Sequence, residues 1–252
     1  MEFLTIKLHL GQTCHALMIR PPDFDPAHKY PVIVYLAGGP GEQLVRNAWG
    51  GAAGLWMQLM ARKGYILFAM DHQGTAGRGH YFEEPLHLRL AAQEMIDQRD
   101  GIEFLKRQPY VDISRLGVFG SGYGGFLAIH AMLDRPVPFK AGYAVAPVTD
   151  WNLYDAVFAE RYLDDPVAHA DGWDASTALD NARYFKGSLM VAQGTDDEFV
   201  HIENLLTLQD RLLDNGKYAQ VLLLADRGHS ISEQPSRLVL FNSMTDFFIK
   251  NL

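Results

Sequence analysis

The chain has 252 residues, 48% hydrophobic and 21% charged, which supplies a full apolar core and excludes a disordered chain. Lys and Arg number 22 against 30 Asp and Glu, a formal charge of -8, so a basic surface for nucleic acid or an anionic membrane is not expected. Cys14 is the only cysteine, which excludes an internal disulfide framework and a cysteine-rich zinc site and leaves the compartment open.

Residues 3–10 alternate apolar and polar side chains, a strand pattern and not the continuous apolar stretch of a signal peptide. The segments Phe3–Leu10 and His15–Arg20 are predicted to form a hairpin joined at Gly11, and Pro21-Pro22-Asp23 breaks the chain after it. Pro31–Leu36 is a continuous apolar run of buried-strand type that ends in the loop Ala37-Gly-Gly-Pro-Gly41. A helix is expected over Trp49–Lys63 with Gly64 as its stop, then a strand over Tyr65–Met70. Leu88–Gln108 carries apolar residues at helical spacing, Leu116–Phe119 reads as a strand and Tyr123–Leu133 as a helix. Phe139–Ala146, Ser188–Gln193 and Gln220–Ala225 are the remaining strands, with helices over His201–Asn215 and Pro235–Asn251. Asp150–Phe185 is aromatic and irregular and is expected to lie over the sheet. The longest apolar runs, such as Val221–Ala225, are too short to span a bilayer. Strands alternating with helices predict an α/β fold around a mostly parallel sheet, with residues 1–252 as one domain.

Chemistry concentrates at Gly120-Ser-Gly-Tyr-Gly-Gly125, between a predicted strand and a predicted helix. A nucleophile elbow has the form G-x-Ser-x-G in this setting, where small residues allow a sharp turn and the helix N-terminus favours developing negative charge. Here the apex is Gly122, and Ser121 stands one residue early. Asp197 follows the strand Ser188–Gln193, and His229 follows the strand Gln220–Ala225. Elbow, acid and histidine in that chain order are the α/β-hydrolase order, in which histidine is the general base and the carboxylate orients it. The bland alternatives are a glycine-rich strand-to-helix turn and a buried hydrogen-bonded His–Asp pair. His72, His80, His87, His130, His169 and His201 lack metal-ligand spacing, so no metal and no cofactor is expected.

The chain resembles the catalytic domain of the prolyl oligopeptidase family, in its dipeptidyl peptidase IV branch. The resemblance runs nearly end to end, through Arg20-Pro-Pro-Asp-Phe-Asp-Pro26, Tyr30-Pro-Val-Ile-Val34, Gly38-Gly-Pro-Gly41 and Gln108-Pro-Tyr-Val-Asp112. It continues through Tyr123-Gly-Gly125, Ala146-Pro-Val-Thr-Asp-Trp151, Tyr154-Asp155, Glu160-Arg-Tyr162 and Gly228-His229. It implies an α/β-hydrolase fold and, in active members, serine peptidase chemistry after proline or a small residue. It also implies a homodimer through the hydrolase domain, and a substrate-gating β-propeller that has no counterpart in these residues.

The departures fall on the site. The family motif is G-W-S-Y-G-G, and its serine position is Gly122. The tyrosine that helps form the oxyanion hole is replaced by Ala37, leaving the backbone of Tyr123 as the implied donor. The asparagine that binds the substrate carbonyl aligns with Phe199, one pocket tyrosine with Phe158, and the histidine of the family's H-G-T stretch with Gln193. Tyr154, Asp197 and His229 are kept. Trp151, Tyr154, Phe158, Tyr162 and Phe199 are therefore candidate pocket residues, although the first four equally suit simple packing of the excursion.

Two functions follow from these residues. One is a catalytically silent, peptidase-like domain that binds a peptide, a small molecule or a protein partner. The other is a serine peptidase whose nucleophile has been replaced at position 122, or a hydrolase that uses Ser121.

Overall fold

The computed structural model describes residues 1–37, 39–133, 135 and 138–252. Gly38, within the glycine loop singled out above, lies outside the described residues. The chain begins with β1 (Glu2–Lys7), β2 (Thr13–Ile19) and β3 (Tyr30–Leu36). It continues through α1 (Gly51–Arg62), β4 (Ile66–Met70), α2 (His80–Glu83), α3 (Ala92–Lys106), β5 (Val111–Ser121), α4 (Tyr123–Leu133) and β6 (Ala141–Val145). The excursion holds α5 (Ala156–Leu163) and α6 (Ala170–Ala175), and β7 (Ser188–Gly194), α7 (Glu203–Leu213), β8 (Gln220–Leu224) and α8 (Gln234–Asn251) complete the chain.

The eight strands form one sheet in the order β1-β2-β4-β3-β5-β6-β7-β8. β1 and β2 pair antiparallel, as do β2 and β4, and every later pairing is parallel. Parallel neighbours need crossovers, and helices supply them on both faces. The period-2 alternation of side chains sorts the core into two layers. Val32, Val34, Phe68 and Val118 enter the layer covered by α3, α4 and α7, through residues such as Leu105, Phe126 and Leu208. Ile33, Leu67, Phe119 and Tyr143 enter the opposite layer, under Trp56 and Met60 of α1 and Met244 and Phe248 of α8. The Trp56 indole donates to Thr245 Oγ1 at 2.9 Å and ties α1 to α8.

Element boundaries move where the backbone overrides the apolar pattern. The predicted helix over Leu88–Gln108 begins only at Ala92, because Leu88 and Ala91 adopt φ of 65° and 69°. Residues with that backbone cannot continue a right-handed helix. β5 is longer than its predicted apolar core, since Tyr30 pairs with Val111 beside the main register. β1 stops at Lys7, where the Leu8 amide turns to donate to the Gln12 carbonyl.

Phe248 is fully buried against Trp56 and Tyr143. Phe248→Ala is expected to destabilise the fold by about 3–5 kcal/mol, read from the urea midpoint at an unchanged denaturant slope.

Candidate functional site

The parallel strands end at one edge of the sheet, and three of their C-terminal connections meet there. The turn from β5 into α4 places Gly122 at φ of 56°, a region that L side chains enter only under strain. The Gly122 amide donates to the Val145 carbonyl at 2.9 Å, and its carbonyl accepts the first helical bond from the Phe126 amide at 3.0 Å. The helix start packs directly on strand backbone: a Cβ at Gly124 would stand 2.2 Å from the Leu36 carbonyl oxygen.

Asp197 follows β7 and is buried. Its Oδ1 accepts from the Phe199 and Val200 amides at 3.0 and 2.8 Å, and its Oδ2 accepts from Gln193 Nε2 at 3.0 Å. The His229 ring, after β8, meets both oxygens through Nδ1, at 2.9 Å from Oδ2 and 3.1 Å from Oδ1. Burial pushes the Asp197 carboxyl up, but the bonds from His229 and the two amides outweigh it and hold the group below the usual carboxylate range. Glu198 adds a bond with no sequence signature: its Oε2 accepts from the His229 amide at 3.1 Å.

With Nδ1 held by Asp197, the other ring nitrogen faces the turn. A Cβ built on Gly122 would lie 3.2 Å from His229 Nε2. The structure therefore brings Gly122, Asp197 and His229 together, with glycine where a side chain would meet the imidazole. A cavity of about 320 Å³ opens beside them, bounded by Gly122, Tyr123 and His229 on one side and Trp151, Tyr154 and Phe158 on the other. Ala37 also lines it, and its methyl group offers no hydrogen-bond donor.

The aromatic wall is built by local capping. Asp150 accepts from the Asn152 amide and Asp155 from the Phe158 amide, at 2.9 and 3.0 Å, so that Asp155 caps α5. Trp151 and Phe158 stack at 5.5 Å, and Tyr154 stands edge-on to both. Tyr162 packs against Phe158 at 4.9 Å from outside the cavity lining. Phe199 is 55% exposed, edge-on to the His229 ring at 5.6 Å, and does not line the cavity either.

Two partners of the site carry no signal in the sequence. Gln193, which stands where the family has a histidine, is fully buried and bridges Asp197 to the Val200 carbonyl. Glu94, on α3, is also fully buried, and its Oε1 accepts from the Tyr123 hydroxyl at 2.5 Å. Burial pushes the carboxyl of Glu94 up, and burial together with Glu94 pushes the Tyr123 hydroxyl well up. No spacing rule marks either residue: Gln193 meets Asp197 only through the way the loop after β7 folds back, and Glu94 meets Tyr123 across 29 positions of chain.

His80, His87 and His201 are exposed beside carboxylates, and His72 and His130 are buried. Among the described residues no group of three His, Cys, Asp or Glu side chains is placed to hold a metal, and no helix is long and apolar enough to cross a membrane.

Because its native carboxyl lies low, Asp197 contributes stability that is present above the ordinary value of 3.8 and is lost as pH falls below it. Asp197→Asn is expected to cost about 1–3 kcal/mol at neutral pH, by leaving buried donors unpaired. It should also flatten the acid limb of a stability profile measured by urea unfolding between pH 2 and 7.

A sequence model of the Prolyl oligopeptidase family matches residues 53–252. The chain is 38% identical over 249 residues to the Probable dipeptidyl-aminopeptidase B of Ajellomyces capsulatus strain NAm1 / WU24, covering 95% of this chain and 26% of that protein. It thus spans about a quarter of the length of the curated relatives it matches. Among crystal structures, a candidate dipeptidyl aminopeptidase IV from Bacteroides ovatus superposes with a TM-score of 0.96 at 36% identity, over 100% of this chain and 36% of the other. Porphyromonas gingivalis dipeptidyl peptidase 4 superposes with a TM-score of 0.94 at 32% identity, over 100% of this chain and 35% of the other. With the α/β-hydrolase sheet order in place and the family match extending over most of its length, the chain belongs to the prolyl oligopeptidase family, as a dipeptidyl peptidase IV-like hydrolase domain.

Proposed function

We propose that this domain binds a short peptide or peptide-like ligand in the cavity beside His229 and does not cleave it. The observation that carries the reading is Gly122, set against His229 Nε2 with no oxygen to attack a carbonyl. Acyl transfer through this turn needs a side-chain nucleophile that His229 can deprotonate, and glycine has none. Loss of the nucleophile of a triad costs on the order of 10⁶ in turnover. Ala37 removes a second contribution, since one lost oxyanion donor costs about 10²–10³.

Binding does not need the missing groups. Trp151, Tyr154 and Phe158 offer an apolar wall for a side chain, and the Tyr123 amide and His229 Nε2 offer polar contacts for a carbonyl. Asp197 holds the imidazole in place for that contact as it would for catalysis. The dipeptidyl peptidases named above carry names that describe removal of dipeptides. Those names belong to proteins about three to four times as long as this chain, by the share of their length that it covers.

The competing reading uses Ser121, which lines the same cavity as His229. A fluorophosphonate probe separates the two. The unaltered chain is expected to show no covalent labelling, and stoichiometric labelling at Ser121 overturns the proposal.

Gly122→Ser restores an oxygen within reach of His229. Turnover of a Xaa-Pro arylamide by this variant is expected to remain about 10²–10³ below that of the double variant Gly122→Ser, Ala37→Tyr, as read by release of the arylamine. Equal turnover of the two variants would show that Ala37 is no obstacle.

A further inference from the structure

A second cavity, of about 380 Å³, lies behind the turn and shares Tyr35, Ser121 and His229 with the first. Its volume falls within the range of small-molecule sites, about 300–1,000 Å³. The walls are apolar: Phe119 comes from β5, Ile231 from the loop after His229, and Leu240, Phe241 and Met244 from α8. Space exists because the facing side chains are small, namely Ser121 at the end of β5 and Ala52 and Ala53 in the first turn of α1.

The charge of the lining is one-sided. It includes Arg237, in the exposed first turns of α8, and no carboxylate. Arg237 donates from Nη2 to the Ser232 carbonyl at 2.7 Å, which fixes the guanidinium near the rim. Among the described residues no carboxylate stands within ion-pair distance of it, a state it shares with other surface arginines such as Arg46 and Arg62. In a chain of formal charge -8, a fixed guanidinium without a carboxylate, at the edge of an apolar cavity, is complementary to an anion with an apolar tail.

We propose that the rear cavity is a binding site for an amphipathic monocarboxylate. The alkyl or aryl tail lies between Phe119, Leu240, Phe241 and Met244, and the carboxylate pairs with Arg237. The site stands independently of whether the front cavity takes a peptide. Fluorophosphonate labelling reads the reactivity of Ser121, which lines both cavities, whereas octanoate binding and its response to Arg237 and Tyr154 variants read the rear cavity alone.

Octanoate is a suitable probe, titrated into the full chain by calorimetry with 1-octanol as the uncharged control. One octanoate per chain is expected. Arg237→Gln, an exposed substitution that leaves the core untouched, should weaken octanoate about tenfold or more and leave octanol unchanged. Ser121→Trp should abolish binding of both by filling the cavity, and Ala53→Phe fills it from the opposite wall should the first variant fail to fold. Tyr154→Ala, in the front cavity, should leave octanoate affinity unchanged. Failure of octanoate to bind overturns the proposal, as does equal affinity in Arg237→Gln, survival of binding in a folded cavity-filling variant, or loss of binding in Tyr154→Ala alone.

Discussion

The close approach of backbone to backbone where β5 turns into α4 sets everything around it. The first turn of the helix rests on the ends of two neighbouring strands, with Gly124 against the Leu36 carbonyl and the Gly122 amide bonded to the Val145 carbonyl. Side chains in that seam would push the helix away from the sheet. The small residues therefore have a packing reason to be present that is separate from any catalytic one. The same seam brings the apex of the turn beside the loops that follow β7 and β8, and this makes one site out of three distant stretches of chain.

Within that frame Asp197 and His229 form a hydrogen-bonded pair beside the glycine at position 122. Asp197 accepts from two backbone amides and from Gln193, and it holds His229 through Nδ1. A buried carboxylate so well supplied with donors stays ionised and stabilises the loop that carries it. His229 is held again through its amide by Glu198. None of these bonds involves the residue at position 122, so they do not depend on a side chain there.

Much of this was legible in the sequence. Buried strands such as Tyr30–Leu36 and Ile66–Met70 announce themselves as short continuous apolar runs, and Gly122, Asp197 and His229 fall at the ends of recognisable strands in a recognisable order. Less legible were the places where a local preference lost to backbone geometry. Leu88 to Ala91 have helical spacing, yet two left-handed residues keep them out of α3. The pocket was only half legible. Trp151, Tyr154 and Phe158 line it, while Tyr162, one helical turn further on, and Phe199, beside Asp197, do not.

Strand and helix identity, the parallel sheet and the absence of a hydroxyl at the apex were determined by the sequence alone, because each rests on local composition or on the chemistry of a single residue. The tertiary structure alone decided the pairing of Gln193 with Asp197, the bond from the Tyr123 hydroxyl to Glu94 and the space behind Ser121. Those features depend on how the folded backbone brings particular side chains together and on how much volume they leave unfilled. Neither quantity has a signature along the chain.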